Sequence, residues 1–498
     1  MKRGIAAVCV VLIVAAVLAG CGPWADNGGR PEKKDMFYLS IGAPLVGELP
    51  PKNNEVEQAI EVYTHTDLQI QWIPLSAYDD KLRLMIASGE MPKLIKISYS
   101  PTYIPTMKAG QFWELGPLLK DYPSLSALDR QYYDNISVDG KIYGIPIVRE
   151  LGRAVIQYRK DWFDKLGLQL PVTLEDWYQV VRALTLEDPD GNGRQDTYGM
   201  ALEKKYNQEA SSLLTRISVS QGGPNKWMVK DGRFTPEFMT GPFLETMKLF
   251  RRLYQDKLIN SDFAVVDTNE TARIYDSGRA GIQINGGNAQ TWMDKLGKAV
   301  PDAEVDVVPL KGPGGIRLPG ESGNAGFFAL PKDSVKTMAE VKRILDFLDK
   351  LLEPPMQTVI SKGVENRHWK DAGEVTEVLD RTLDLKEVKP YRDMLLRLVE
   401  DSDSVKPSSQ PELYRKSQQI NRENRSFIVE NPALTLESDT FAELGKDLET
   451  LITDAETKFI MGLIDEAGWQ AELAKWRHAG GDRVIREYEE AYSKQNRK

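Results

Sequence analysis

Between residues 36 and 97 short apolar runs alternate with amphipathic stretches, and this alternation restricts the possible folds more than any other feature of the chain. Met36–Gly42 (MFYLSIG), Leu68–Ile73 (LQIQWI) and Leu94–Ile97 (LIKI) have strand composition. Glu55–Thr64 reads as a helix between the first two. Tyr78–Ser88 follows the second and carries Leu82, Leu84, Met85 and Ile86 at helical spacing. Strand, helix, strand, helix, strand in that order predicts a parallel α/β sheet, because parallel neighbours need a crossover long enough to hold a helix.

The alternation returns later. Arg153–Tyr158, Gly281–Asn285 and Phe327–Leu330 are strand candidates. Leu174–Leu184 is a predicted helix with Thr173 as its cap and Glu175 and Asp176 in its first turn. Pro242–Asp256 and Ala339–Leu352 are amphipathic, and from Phe441 onward the pattern is almost entirely helical. At 498 residues the chain exceeds one compact core and supplies two or three domains. The glycine-rich Lys311–Gly323 lacks the GK[ST] ending of a phosphate loop and reads as a long connection.

Charge and cysteine usage narrow the function. With 64 basic and 73 acidic residues the net charge is −9, which disfavours a nucleic-acid surface. Both cysteines, Cys9 and Cys21, lie near the N-terminus, so the body carries no disulfide or thiolate chemistry. Three scattered histidines argue against a His-rich zinc site.

Residues 1–20 combine Lys2 and Arg3 with an apolar run from Ile5 to Gly20, the form of an export signal. Leu18-Ala19-Gly20-Cys21 resembles the bacterial lipobox. That resemblance implies cleavage before Cys21, a lipid such as palmitate on its sulfur, a tether over 21–35 and a body on the extracellular face of the membrane. An uncleaved N-terminal anchor is the alternative, with the same placement of the body.

The loop at 188–199 (DPDGNGRQDTYG) spends three Asp and one Asn on one turn. Asp188, Asp190, Asn192, Arg194 through its carbonyl and Asp196 occupy positions 1, 3, 5, 7 and 9 of an EF-hand calcium loop, with Gly193 at the sharp turn. Position 12 is Gly199 in place of the bidentate Glu, and no second loop pairs with it. A structural calcium clip is the reading this spacing favours over a switch, and a polar turn without metal is the alternative.

Taken together, ASGEMPKL (87–94), VDGKIYGIPI (138–147), YRKDWFDKLGLQLPVTLEDWYQVV (158–181), the 188–199 loop, SGRAGIQINGG (277–287) and KGVENRHW (362–369) resemble the extracellular solute-binding lipoproteins of ABC importers. The likeness is to the long Gram-positive branch of the carbohydrate-binding type, related to alginate- and oligosaccharide-binding proteins. It implies a two-lobed α/β fold with three hinge crossings, near Ile147–Glu150, Gly323–Ala325 and Ile428–Leu436. Residues 36–148 with 325–430 would form lobe one, and 149–324 with 431–498 lobe two. It also implies an oligosaccharide ligand, ABC permease subunits as partner, a monomer, and no catalysis. Cleft positions after strands and crossings would then be Tyr99, Arg149, Glu150, Asn288, Gln290, Trp292 and Phe441, offering aromatic platforms and hydroxyl-binding groups. His368 and Trp369 either close over ligand or pack a loop.

Three other functions stay open on sequence grounds. One is an exported polysaccharide-degrading enzyme, although no GxSxG or HExxH motif is present. The others are a binding protein serving a membrane sensor and a binding protein for a non-sugar solute.

Overall fold

The computed structural model describes residues 35–495 except 46, 101–102, 209–211 and 399–405. The expected signal segment, Cys21 and residues 22–34 of the tether lie outside them. Among the described residues no helix is long and apolar enough to cross a membrane.

Two sheets carry the architecture. Their strands are β1 (Phe37–Leu45), β2 (Thr66–Pro74), β3 (Leu94–Ile97), β4 (Gly144–Val148), β5 (Val155–Arg159), β6 (Ile282–Asn285), β7 (Val305–Pro309) and β8 (Asn324–Ala329). The first sheet has the order β2-β1-β3-β8-β4. β1 runs parallel to β2 from Phe37↔Thr66 to Leu45↔Pro74, and parallel to β3 at Ile41↔Leu94. The predicted parallel arrangement therefore holds for these three. It fails at β8, which is antiparallel to both β3 and β4. β8 is a returning segment, entering the sheet after residues 149–323 are spent elsewhere, so no crossover helix fixes its direction.

The second sheet, β6-β5-β7, is antiparallel throughout, which corrects the parallel expectation there as well. The helix Ala289–Ala299 links β6 to β7 and passes over β5, leaving the two outer strands parallel to each other and opposed to the central one.

Local signals explain the helix starts. Asn54 accepts hydrogen bonds from the N–H groups of Val56 and Glu57 at the head of Glu55–Thr64. Thr173 and Asp176 form a reciprocal capping box at Leu174–Leu186, and Thr337 and Glu340 do the same at Met338–Leu351. Each such cap is worth about 1 kcal/mol.

The core divides with the sheets. Leu39, Ile41, Ile60, Ile145, Phe328 and Phe347 belong to the core around the first sheet. Trp162, Trp177, Phe250, Phe459 and Trp469 belong to the core around the second, where the C-terminal helix Asp439–Ile460 packs on Gly241–Gln255. Helix Glu412–Asn424 departs from the expected division. It packs on β7 and on Ala289–Ala299, and its Ile420 shares a cluster with Val155 and Val307. It thus sits with the second sheet instead of lobe one, because that is where its apolar face is buried.

Candidate functional site

The connections between the sheets run side by side. The Arg149 N–H donates to the Gly323 carbonyl at 2.8 Å and the Glu321 N–H to that of Leu151 at 2.9 Å. Leu318–Pro319 pairs with Ile428–Val429, and the Asn225 amide donates to the carbonyls of Gly320 and Val429, each at 2.9 Å. Gly323 has φ +71°, and a Cβ there would lie 2.6 Å from Leu151 Cδ2, so only glycine lets the strands lie this close. Lys311–Gly323 is accordingly a connection, as expected, with a short hairpin at Lys311–Ile316.

Two adjoining cavities open beside these connections, of about 720 and about 880 Å³, sharing Gln208, Lys226, Asn431 and Leu434 as wall. Each falls in the size range of roughly 300–1,000 Å³ usual for small-molecule sites.

The smaller cavity is basic. Arg149, Arg153, Lys205, Arg216 and Lys226 line it with only Glu203 and Glu321 as acids. Arg216 is buried, donates to the Ile284 carbonyl at 2.9 Å and lies 3.7 Å from Glu321. Burial pushes its guanidinium down to about 10, against the pull of Glu321. Glu321 also faces Arg153 at 3.4 Å. Arg149 is held below its usual range by desolvation first and by the charge of Arg153 second.

The larger cavity is aromatic. Tyr99, Trp227, Phe238 and Phe441 are half-buried on its wall, backed by the buried Trp476 and Tyr488. Phe238 meets Trp476 edge-on at 5.0 Å, and Trp227 meets Tyr488 edge-on at 5.1 Å. Tyr99 donates its hydroxyl to the Ser137 carbonyl at 2.9 Å. Glu456 is buried in the same wall, and its side-chain oxygen accepts from the Asn207 amide at 2.6 Å.

The structure therefore brings Tyr99 and Phe441 into one cavity and Arg149 into the other. Glu150 lines neither. The remaining expected cleft residues take local duties. Asn288 caps helix Ala289–Ala299 by accepting from the Gln290 N–H, and Gln290 pairs with Asp294 one turn on. Trp292 is 5% exposed, packs edge-on against Tyr275 and donates to its carbonyl, so it is core and no platform. His368 is fully buried between Glu387 and the Val364 N–H, and Trp369 donates to the Gly363 carbonyl, so this pair packs a loop. Sequence reading missed Arg153, Arg216, Trp227, Phe238 and Glu321. Aromatic composition flags Trp227 and Phe238 only as apolar residues; tertiary packing turns them toward the cavity.

In the 188–196 loop, both Asp188 oxygens accept backbone N–H groups, from Asn192 and Gly193, each at 3.0 Å. The Asn192 amide nitrogen sits between Asp190 Oδ2 at 2.8 Å and Asp196 Oδ1 at 3.1 Å. The Arg194 N–H donates to Asn192 Oδ1 at 2.7 Å. Desolvation raises the Asp190 carboxyl, with the charges of Asp188 and Asp196 adding to it. Among the described residues no three Asp, Glu, His or Cys side chains stand close enough together to hold a metal ion. In this loop it is Asn192 that draws the acids together. Position 12 has no room for a ligand, since a Cβ on Gly199 would lie 2.5 Å from Val181 Cα.

Known proteins share this architecture. The profile of bacterial extracellular solute-binding proteins matches residues 50–358. The chain is 34% identical over 489 residues to Lipoprotein LipO of Bacillus subtilis, spanning 96% of this chain and 97% of that one. It is also 34% identical to the polygalacturonan/rhamnogalacturonan-binding protein YtcQ of the same organism, over 97% of each. Among solved structures, an EF-hand mutant of the Streptococcus pneumoniae ABC-transporter substrate-binding protein FusA in complex with fructo-nystose superposes with a TM-score of 0.69. It is 18% identical and covers 93% of this chain and 100% of its own.

Proposed function

This chain belongs to the family of bacterial extracellular solute-binding proteins, and from that premise we propose that it captures an oligosaccharide between its lobes and hands it to an ABC permease. The observation that carries this reading is the aromatic cavity at the connections: half-buried Tyr99, Trp227, Phe238 and Phe441 offer ring faces, with polar groups at their rim. The relatives support it, since YtcQ is named for polysaccharide binding and FusA was solved with a fructo-oligosaccharide. Binding is reversible and leaves the sugar unchanged. Cys21 carries the lipid that holds the monomer on the extracellular face, in keeping with the lipobox and with the LipO relative.

The 188–196 loop is the proposed calcium clip. Its donors are all hard oxygens on alternate residues, and Gly191 and Gly193 take the positive φ of +71° and +76° that the turn needs. Asp188, Asp190, Asn192, Asp196 and the Arg194 carbonyl would hold the ion, which would draw the acids closer than Asn192 holds them. The EF-hand of FusA is a parallel in a protein of the same fold.

The test is thermal melting of the full chain in detergent with neutral and acidic oligosaccharides, followed by recovery of the ligand. Ligand at a hundred times its Kd adds about 2.7 kcal/mol, a rise of a few degrees. Such a rise with intact sugar recovered is the expected result. Sugar consumed during the assay points to an enzyme, and a flat panel removes oligosaccharides as the ligand class.

A further inference from the structure

The basic cavity carries more positive charge than its own acids balance. Glu321 is shared between Arg153 at 3.4 Å and Arg216 at 3.7 Å. Lys226 is paired with Glu237 at 3.0 Å. Among the described residues Arg149 and Lys205 make no ion pair, and both project from exposed positions on the cavity wall. Lys96, on β3, lies near enough to feel the Arg149 charge. This excess stands inside a chain whose net charge is −9, so the overall composition does not account for it.

Desolvation of the unpaired Arg149 costs free energy that a bound anion returns. A guanidinium also has a shape preference: its fork matches a carboxylate through two parallel hydrogen bonds, which a sugar hydroxyl cannot reproduce. The basic cavity adjoins the aromatic one, the two sharing Gln208, Lys226, Asn431 and Leu434. One ligand spanning both must present an anionic group at one end and ring faces at the other.

We propose that Arg149, seconded by Lys205 and by Arg153 in its pairing with Glu321, forms a carboxylate subsite, and that the ligand is an oligosaccharide containing uronate residues. This rests on the oligosaccharide reading above and specifies its chemical class. Arg216, buried and tied to the Ile284 carbonyl, is a positioning residue that helps fix Glu321.

Calorimetry on the full chain in detergent tests the proposal, with trimers of galacturonate and of mannuronate, the methyl esters of both, and a neutral trimer. The esters keep the rings and remove the charge. The acid form of at least one trimer is expected to bind about tenfold or more tighter than its ester. Arg149→Gln is expected to narrow that ratio to within about twofold. Trp227→Ala is expected to weaken acid and ester alike and leave the ratio unchanged. Esters or the neutral trimer binding as tightly as the acids overturns the carboxylate subsite while leaving the sugar reading standing. An unchanged acid-to-ester ratio in Arg149→Gln overturns the role of Arg149. Binding of inorganic phosphate as tightly as of the uronates shows an unselective anion site and likewise overturns the proposal. No binding by any trimer removes both readings.

Discussion

Glu456 shows how far one side chain can depart from its usual behaviour. Buried in the wall of the aromatic cavity, its carboxyl is pushed up to about 8 by desolvation, with the Asn207 amide pulling the other way. In the unfolded chain it titrates near 4.5. Below that pH both states are protonated. Between that pH and about 8 the folded state keeps a proton that the unfolded state has lost, so stability falls as pH rises through this window and levels off above it. Glu456→Gln removes the titration. The variant is expected to melt with a flatter pH profile than the parent from pH 4.5 to 8 and to be more stable at pH 8 by a few kcal/mol at most. Parallel profiles would show that Glu456 is ionised when folded. Nothing in the surrounding sequence, DAETKF, marks this residue out among the acids of the helix. Tyr99, Phe441 and Trp292 teach the same lesson: each is visible as an aromatic residue, but only long-range packing decides that the first two face a cavity and the third is buried under Tyr275.

At the scale of elements, short-range chemistry was readable. The Thr173 cap, the strand LIKI and the helix Glu55–Thr64 lie where the sequence puts them, because caps and periodicity act within one or two turns. The 188–196 loop has the same local legibility, since the turn is written in its own glycines and acids. If calcium fills it, chelator is expected to lower the melting temperature of the parent by a few degrees. In Asp190→Ala, melting in calcium and in chelator should coincide, and the acid-to-ester ratio of sugar binding should not move. A parent indifferent to chelator would leave a plain polar turn held by Asn192.

Ion pairs and hydrogen bonds also tie distant segments together, one of them on the wall of the aromatic cavity. Lys108, at the end of helix Ile104–Lys108, is paired with Glu437 and lies 3.2 Å from Asp139. Gln131 donates to Glu430 at 2.8 Å, and Arg425 pairs with Asp129. These contacts are largely solvated, so each contributes about 1 kcal/mol at most. Glu437→Gln is accordingly expected to enlarge the radius of gyration of the unliganded chain in small-angle scattering and to weaken sugar binding by no more than about fivefold. Unchanged scattering together with unchanged affinity would show that the pair does not bias closure.

By itself the sequence determined the first three strands, the helices between them, the Thr173 cap, the family and the composition of the 188–196 loop, all of which rest on interactions between residues near in the chain or on motif order. Only the tertiary structure decided the antiparallel strand directions and the site. β8 joins β3 and β4 after a long excursion, and Glu412–Asn424 leaves the first lobe to bury its face on β7. Arg149, Arg216 and Glu321 come together from three distant segments. Burial and charge pairing are properties of the neighbourhood a residue ends up in. In a fold whose chain passes repeatedly between lobes, that neighbourhood is assembled from segments hundreds of residues apart, beyond the reach of local pattern.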